Sequence, residues 1–204
     1  MSRPREFDEA TVLNAAVQCF WKNGYEATSV RDLASQMDLS VASLYNAFGD
    51  KQSLYWRSLE HYLDRTLRER IERCEGGLPP QEAIRSFFFE VIDRSLNDRQ
   101  RKGCMLVNAA LEVTRADPEF QRVVAGALIH IEAFFYRCVL AGQRAGTISK
   151  SQRAEDLARF LLSILLGLRV LARAMPQRAM LEGLVRPAFA VLEGSEQSKE
   201  LVTQ

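Results

Sequence analysis

The chain has few of the residues that build metal centres and covalent cross-links. Its 204 residues include two histidines and four cysteines. The cysteines, Cys19, Cys74, Cys104 and Cys138, are widely spaced and form no CxxC pair. Such spacing does not suit a zinc site, and it fits reduced thiols in a cytoplasmic protein. No metal and no cofactor are therefore expected. Glycine and proline are sparse, at 11 and 6 residues, and no segment sustains the period-two alternation of a half-buried strand. Long apolar runs are missing as well. The most apolar stretch, Phe160 to Leu168, is nine residues long and closed by Arg159 and Arg169. A bilayer span needs roughly 20, so no membrane partner is expected. The N-terminus, MSRPREFDEA, lacks the apolar core of a secretion signal. An excess of one charge is absent too. The net charge is +1, and the first 57 residues hold six Lys or Arg against seven Asp or Glu. Any binding to nucleic acid must then come from local placement of groups, not from bulk basicity. P-loop, GxGxxG, GxSxG and HExxH patterns are all missing, and no enzymatic activity is expected.

What remains reads as helix nearly throughout. Asp8 and Glu9 suit the start of a first helix that ends at Asn23, with Gly24 in the place of a left-handed cap. A short second helix runs from about Ser29 to Gln36, and a third starts at Ser40. A fourth runs from Lys51 to about Cys74. The sequence EGGLPP, Glu75 to Pro80, is the clearest break. Helices are expected beyond it at about 80–97, 103–115, 118–144, 153–175 and 177–193. The fold class is all-α. An N-terminal three-helix module (1–50) is joined by a connecting helix (51–74) to a larger helical body (75–204).

The third helix, SVASLYNAFGDK, is unusual for its small residues. Val41, Leu44, Tyr45 and Phe48 fall at i, i+3, i+4 and i+7 and are expected to pack on the two preceding helices. Ser40, Ala42, Ser43, Asn46 and Ala47 then face away. Two short helices joined by a tight turn at Met37-Asp38-Leu39 make a helix-turn-helix, whose second helix enters a major groove. Small side chains let the backbone approach base edges: Ser donates or accepts, Asn pairs with adenine, and Ala touches a thymine methyl. Thr28 and Ser29 lie at a helix N-terminus, where free N–H groups suit a phosphate. Lys51 lies at the start of another helix, and the Tyr45 hydroxyl is within reach of a backbone. Pattern alone leaves a second reading open, that of an ordinary small helix in an all-α core.

Gly24 to Tyr55, GYEATSVRDLASQMDLSVASLYNAFGDKQSLY, resembles the DNA-binding signature of the TetR family of bacterial transcriptional repressors. The elements that carry the resemblance are Phe20 and Gly24-Tyr25, Thr28-Ser29, the RDLA run, LYNAF and Lys51. Asp38 departs from the glycine usual in that turn; Asp tolerates a left-handed backbone better than most residues. The resemblance implies a homodimer on an inverted-repeat operator, released by a small-molecule effector bound in the C-terminal body. It assigns base contacts to Val41, Ala42, Ser43 and Asn46, and phosphate contacts to Thr28, Ser29, Ser40, Tyr45 and Lys51. It also implies a four-helix dimer interface, for which 153–175 and 177–193 are the expected elements.

In the body, QRKGCMLVNAALE, Gln100 to Glu112, places Cys104 in the first turn of a helix beside Arg101 and Lys102. That setting favours a thiolate and makes a redox or electrophile sensor the alternative reading; a buried thiol acting as a small hydrophobe is the plain one. An effector pocket is expected from Phe88, Cys104, Met105, Asn108, His130 and Phe134, suited to a small, fairly apolar molecule. A helical ligand-binding protein without DNA binding is the remaining alternative.

Overall fold

The computed structural model describes residues 8–112 and 117–193. Among these the chain forms ten α-helices and one π-helical segment. They are α1 (Glu9–Asn23), α2 (Val30–Gln36), α3 (Val41–Phe48), α4 (Lys51–Leu63), the π segment (Asp64–Arg68), α5 (Glu69–Gly77), α6 (Pro80–Asn97), α7 (Met105–Glu112), α8 (Pro118–Ala145), α9 (Ala154–Ala174) and α10 (Arg178–Glu193). Two compact units result. The first is Met1–Arg68 with Asn108–Val124; the second is Glu69–Val107 with Ala125–Gln204.

Local chemistry sets the first four helix starts. Asp8 accepts from the Thr11 amide at 3.0 Å, Ser29 from Asp32 at 3.1 Å, Ser40 from Ser43 at 3.0 Å and Asp50 from Ser53 at 2.6 Å. Each satisfies an N–H that the first helical turn leaves open. Asp32 also accepts from the Ser29 amide at 3.0 Å, completing a capping box. Gly24, at φ 80°, ends α1 with its amide on the Phe20 carbonyl. A side chain there would be strained and would crowd Glu112.

In the first unit α1 lies along α4, burying Val12, Leu13, Ala16, Val17 and Phe20 against Leu54, Tyr55, Leu59 and Leu63. Phe20 and Tyr55 meet at 4.8 Å between ring centroids, and Trp21 meets Tyr62 edge-on at 5.0 Å. Polar links flank this core: His61 bonds Asn14 at 3.0 Å, and Arg57 pairs with Glu9.

The second unit is built from α5, α6, α9 and α10, with the parts of α7 and α8 assigned to it. Phe87, Phe88, Phe134 and Phe135 are buried at its centre. Phe87 contacts Phe134 at 5.1 Å, and Phe88 stacks on Phe135 at 5.5 Å. Arg70 is buried as well; its guanidinium lies 5.4 Å over the Phe87 ring and reaches Glu90 at 3.2 Å. Arg73 meets the same carboxylate at 2.7 Å.

Two expectations about the connecting helix change. First, the helix does not end at Cys74 but runs through Gly77. Cys74 is buried, and Glu75 is held by Arg137 of α8 at 2.7 Å. These anchors outweigh the weak propensity of the two glycines, and the chain breaks only at Leu78-Pro79. Second, the helix is interrupted by the π turn at Asp64–Arg68, where the chain leaves the first unit. The Thr66 hydroxyl donates to the Tyr62 carbonyl at 2.7 Å, and Arg68 pairs with Asp64 at 2.5 Å. Periodicity did not disclose the extra residue per turn. Similarly, α7 begins at Met105, so Cys104 precedes the helix instead of lying in its first turn.

The capping carboxylates predict an acid-sensitive fold. Asp8, Asp32 and Asp50 are held below the ordinary carboxylate value of 3.8, mainly by hydrogen bonds from Thr11, Ser29 and Ser53. A lowered folded-state pKa gives stability that is complete above the unfolded value and lost as pH falls through the folded one. Thermal unfolding followed by circular dichroism is therefore expected to give a steady midpoint above about pH 5 and a decline below about pH 4. Replacing all three by asparagine, which still caps a helix, should reduce that decline.

Candidate nucleic-acid interface

α3 is held to the first unit by α2 and α4. Leu44 is fully buried and Phe48 nearly so. Spaced i, i+4, they form one line along the helix. The four-residue stripe expected from the sequence is narrower in the structure. Val41 is 38% exposed and Tyr45 45% exposed. The reason is geometric: an eight-residue helix resting on two neighbours buries the line between them, while residues a further step around the cylinder turn outward. The Tyr45 ring is thus not packed under its hydroxyl as expected. Val41 and Tyr45 join Ser40, Ala42, Ser43 and Asn46 on the exposed surface, with Ala47 half-buried.

The turn before α3 is tightly bonded. Met37 N–H donates to Leu33 at 2.9 Å and Leu39 N–H to Ala34 at 2.9 Å. Asp38 takes a left-handed backbone, φ 52°. On the far side, Arg57 of α4 sets its guanidinium 4.9 Å over the Phe48 ring and donates to the Ala47 carbonyl at 3.4 Å, while pairing with Glu9 of α1. One side chain so connects α1, α3 and α4. The sequence reading missed Arg57, because its partner Glu9 lies 48 residues away. It also passed over Arg31, an exposed cation two residues after Ser29.

The flanking residues differ in availability. Ser29 is exposed, and its hydroxyl bonds Asp32 at 2.6 Å within the cap. Thr28 is buried, and its hydroxyl donates to the Gly24 carbonyl at 2.6 Å. The structure does not bring that side chain to the face formed by α3. Lys51 is half-buried, with its ammonium 4.3 Å over the Tyr25 ring.

The residues expected to bind an effector differ in burial and in the unit they belong to. Phe88 and Phe134 belong to the packed aromatic cluster and share Phe87 and Phe135 as neighbours. Met105 is buried, while Cys104, Asn108 and His130 are half-buried. Asn108 falls in the first compact unit and the other five in the second. Gly103, at φ 75°, donates its amide to Asp98 at 3.0 Å just before Cys104. Burial raises the thiol pKa of Cys19, Cys74 and Cys138, the last to about 12, which keeps these thiols protonated.

A capped pair of short helices, with the second exposing small and polar groups, defines a helix-turn-helix DNA-binding protein. Residues 12–56 match the model for bacterial regulatory proteins of the tetR family. Residues 80–187 match the model described as Tetracyclin repressor-like, C-terminal domain. The chain belongs to the TetR family. It is similar to the HTH-type transcriptional regulator YezE of Bacillus subtilis (strain 168), 31% identical over 95% of this chain and all of the relative. The repressor ComR of Escherichia coli (strain K12) is 26% identical over 93% of this chain and 90% of its own. Among solved structures, a cysteine variant of the TetR family regulator CifR, in complex with 26-base-pair operator DNA, superposes with a TM-score of 0.80. It is 31% identical, covering 92% of this chain and 98% of that one. The protein is accordingly a DNA-binding transcriptional regulator of the TetR repressor family, not an enzyme. By length and composition alone α8 also qualifies as a membrane span, which the run-length reading did not bring out. It lies inside the matched C-terminal domain and carries Glu132 and Arg137, paired with Arg159 and Glu75.

The narrow buried line predicts unequal mutational costs. Leu44→Ala is expected to cost about 2–5 kcal/mol of stability, and Val41→Ala less than about 1 kcal/mol. Urea denaturation measures both; similar costs would mean that Val41 packs as the sequence stripe suggested.

Proposed function

We propose that the protein is a ligand-responsive repressor, acting in the cytoplasm, that binds an inverted-repeat operator as a homodimer. The observation that carries the DNA reading is the exposed surface of α3. Nothing in a water-facing role favours exposing Val41 and Tyr45 together beside Ala42, Ser43 and Asn46. A groove uses all five. Val41 and Ala42 meet thymine methyls, Ser43 and Asn46 bond base edges, and Tyr45 reaches a phosphate. Ser29, Ser40 and Lys51 complete the phosphate clamp through their hydroxyls and ammonium, with Arg31 an added cation. Thr28 serves from beneath by fixing the start of α2. CifR, bound to operator DNA, supports the same role for this chain.

The dimer reading rests on a second apolar stripe on each of the last two helices. On α9, Phe160, Ile164, Gly167 and Leu171 recur at i, i+4, i+7 and i+11 without being buried, apart from the buried Leu161, Leu165 and Leu168. On α10, Met180, Leu184, Pro187 and Val191 repeat that spacing. Apolar stripes that stay half-buried to exposed over this length mark an interaction face. Residues 1–50 are then the reading head and 75–204 the body. The effector occupies the body, and residues 51–74 carry its effect to the head.

Gel-shift titration with the gene's own upstream DNA tests the reading. Binding should exceed that to random duplex and weaken as salt rises, since phosphate contacts release counterions. Asn46→Ala should cost about 1–3 kcal/mol at one base position, and Lys51→Ala should weaken all sequences alike. Leu184→Arg should leave helical content intact, give a monomer by sedimentation and abolish operator binding. No preference for upstream DNA would overturn the proposal.

A further inference from the structure

A cavity of about 130 Å³ opens within the first unit, and no residue of α3 lines it. Its walls combine two kinds of group. Tyr25, Tyr55 and Phe120 supply aromatic rings, with Tyr25–Tyr55 and Tyr55–Phe120 centroids both 5.1 Å apart. Glu26, Glu112 and Asp117 supply carboxylates. The partners of these carboxylates are neutral: the Tyr55 hydroxyl donates to Glu112 at 2.9 Å, and Asp117 accepts from the Trp56 indole at 3.2 Å and from Gln52. Among the described residues no ion pair reaches any of the three, and they do not gather into a metal-binding group.

Aromatic faces carry negative potential and hold cations, most strongly where water is partly excluded. Tyr25 already does so on one side, where the Lys51 ammonium lies 4.3 Å over its ring. The local field is negative: beyond the effect of burial, Glu26, Asp50 and Asp117 raise the pKa of the Tyr25 phenol. The volume is close to the ~150 Å³ that accommodates a benzene-sized guest. A bare ammonium would leave such a space underfilled, and a neutral guest would gain no attraction from the exposed Glu26 and Glu112 and the half-buried Asp117.

We propose that this cavity binds an organic ammonium ion with a methylated, quaternary-sized head, caged by Tyr25, Tyr55 and Phe120 and neutralised by Glu26, Glu112 and Asp117. The site does not depend on the DNA-binding reading, because its occupancy is measured without DNA.

Isothermal titration of the full chain with tetramethylammonium chloride tests it, with tert-butanol as a neutral guest of similar shape and sodium chloride holding ionic strength constant. Saturable binding of tetramethylammonium is expected, with tert-butanol weaker by at least about tenfold. In the Glu112→Gln, Asp117→Asn double variant, which keeps both hydrogen-bond acceptors, affinity should fall by about tenfold or more. A Tyr25→Leu variant should lose a comparable factor, and thermal unfolding of each verifies its fold. Absence of saturable binding, equal binding of the two guests, or full affinity in the folded double variant would overturn the proposal. Should the double variant fail to fold, the comparison of charged and neutral guests on the unaltered chain decides alone. Operator binding by the same sample, free of tetramethylammonium, reports separately on the DNA reading.

Discussion

A reading helix must show one face to DNA, so it can bury little of itself in its own protein. In this chain that constraint is met by one line of contact, Leu44 and Phe48, beneath α3. Two apolar side chains are a slender hold for eight residues. The hold is reinforced from outside the helix: Arg57 covers Phe48, bonds the Ala47 carbonyl and ties back to Glu9. Arg57 stands on α4, which is packed on α1 through the Phe20–Tyr55 and Trp21–Tyr62 ring contacts. The exposed face of α3 is therefore positioned by a core to which it contributes almost nothing.

A nearly neutral chain that binds a polyanion must place its charges with care. The reading head carries Asp8, Asp32 and Asp50 as helix caps, each engaged with backbone or hydroxyl donors. These carboxylates stabilise helix starts through the same N–H groups and dipoles that attract phosphate elsewhere. Ser40 caps α3 with a neutral hydroxyl and no acidic residue stands in its first turn, which leaves that one helix start free of a capping charge. In protein–DNA interfaces generally, phosphate contacts position the protein and contacts to base edges select the sequence.

The second unit divides its apolar surface between two uses. Phe87, Phe88, Phe134 and Phe135 fill its centre. α9 and α10 keep further apolar stripes outside that core, which is why α9 reads as apolar around much of its circumference. The π turn at Asp64–Arg68 lies where the chain passes from one unit to the other. Extra residues of this kind inside helices recur at functional positions, and this one stands in the element that links head to body.

Much of this was legible in the sequence. Capping residues, glycine stops and helical periodicity are local signals, and α1, α2, α6, α8, α9 and α10 begin and end within about two residues of expectation. The outward placement of Ser40, Ala42, Ser43 and Asn46 on α3 was also legible from their spacing. Other features depended on groups far apart in the chain. Periodicity names a hydrophobic stripe but not how many neighbours will cover it, so only the fold decided that Leu44 and Phe48 are buried while Val41 and Tyr45 face outward. The Arg57–Glu9 link, the continuation of α5 through Gly77 and the aromatic cavity at Tyr25, Tyr55 and Phe120 arise from long-range contacts. Local sequence determined where helices start, because caps act within one turn. Tertiary structure decided which faces remain free to bind, because exposure is set by the neighbours that a helix meets in space.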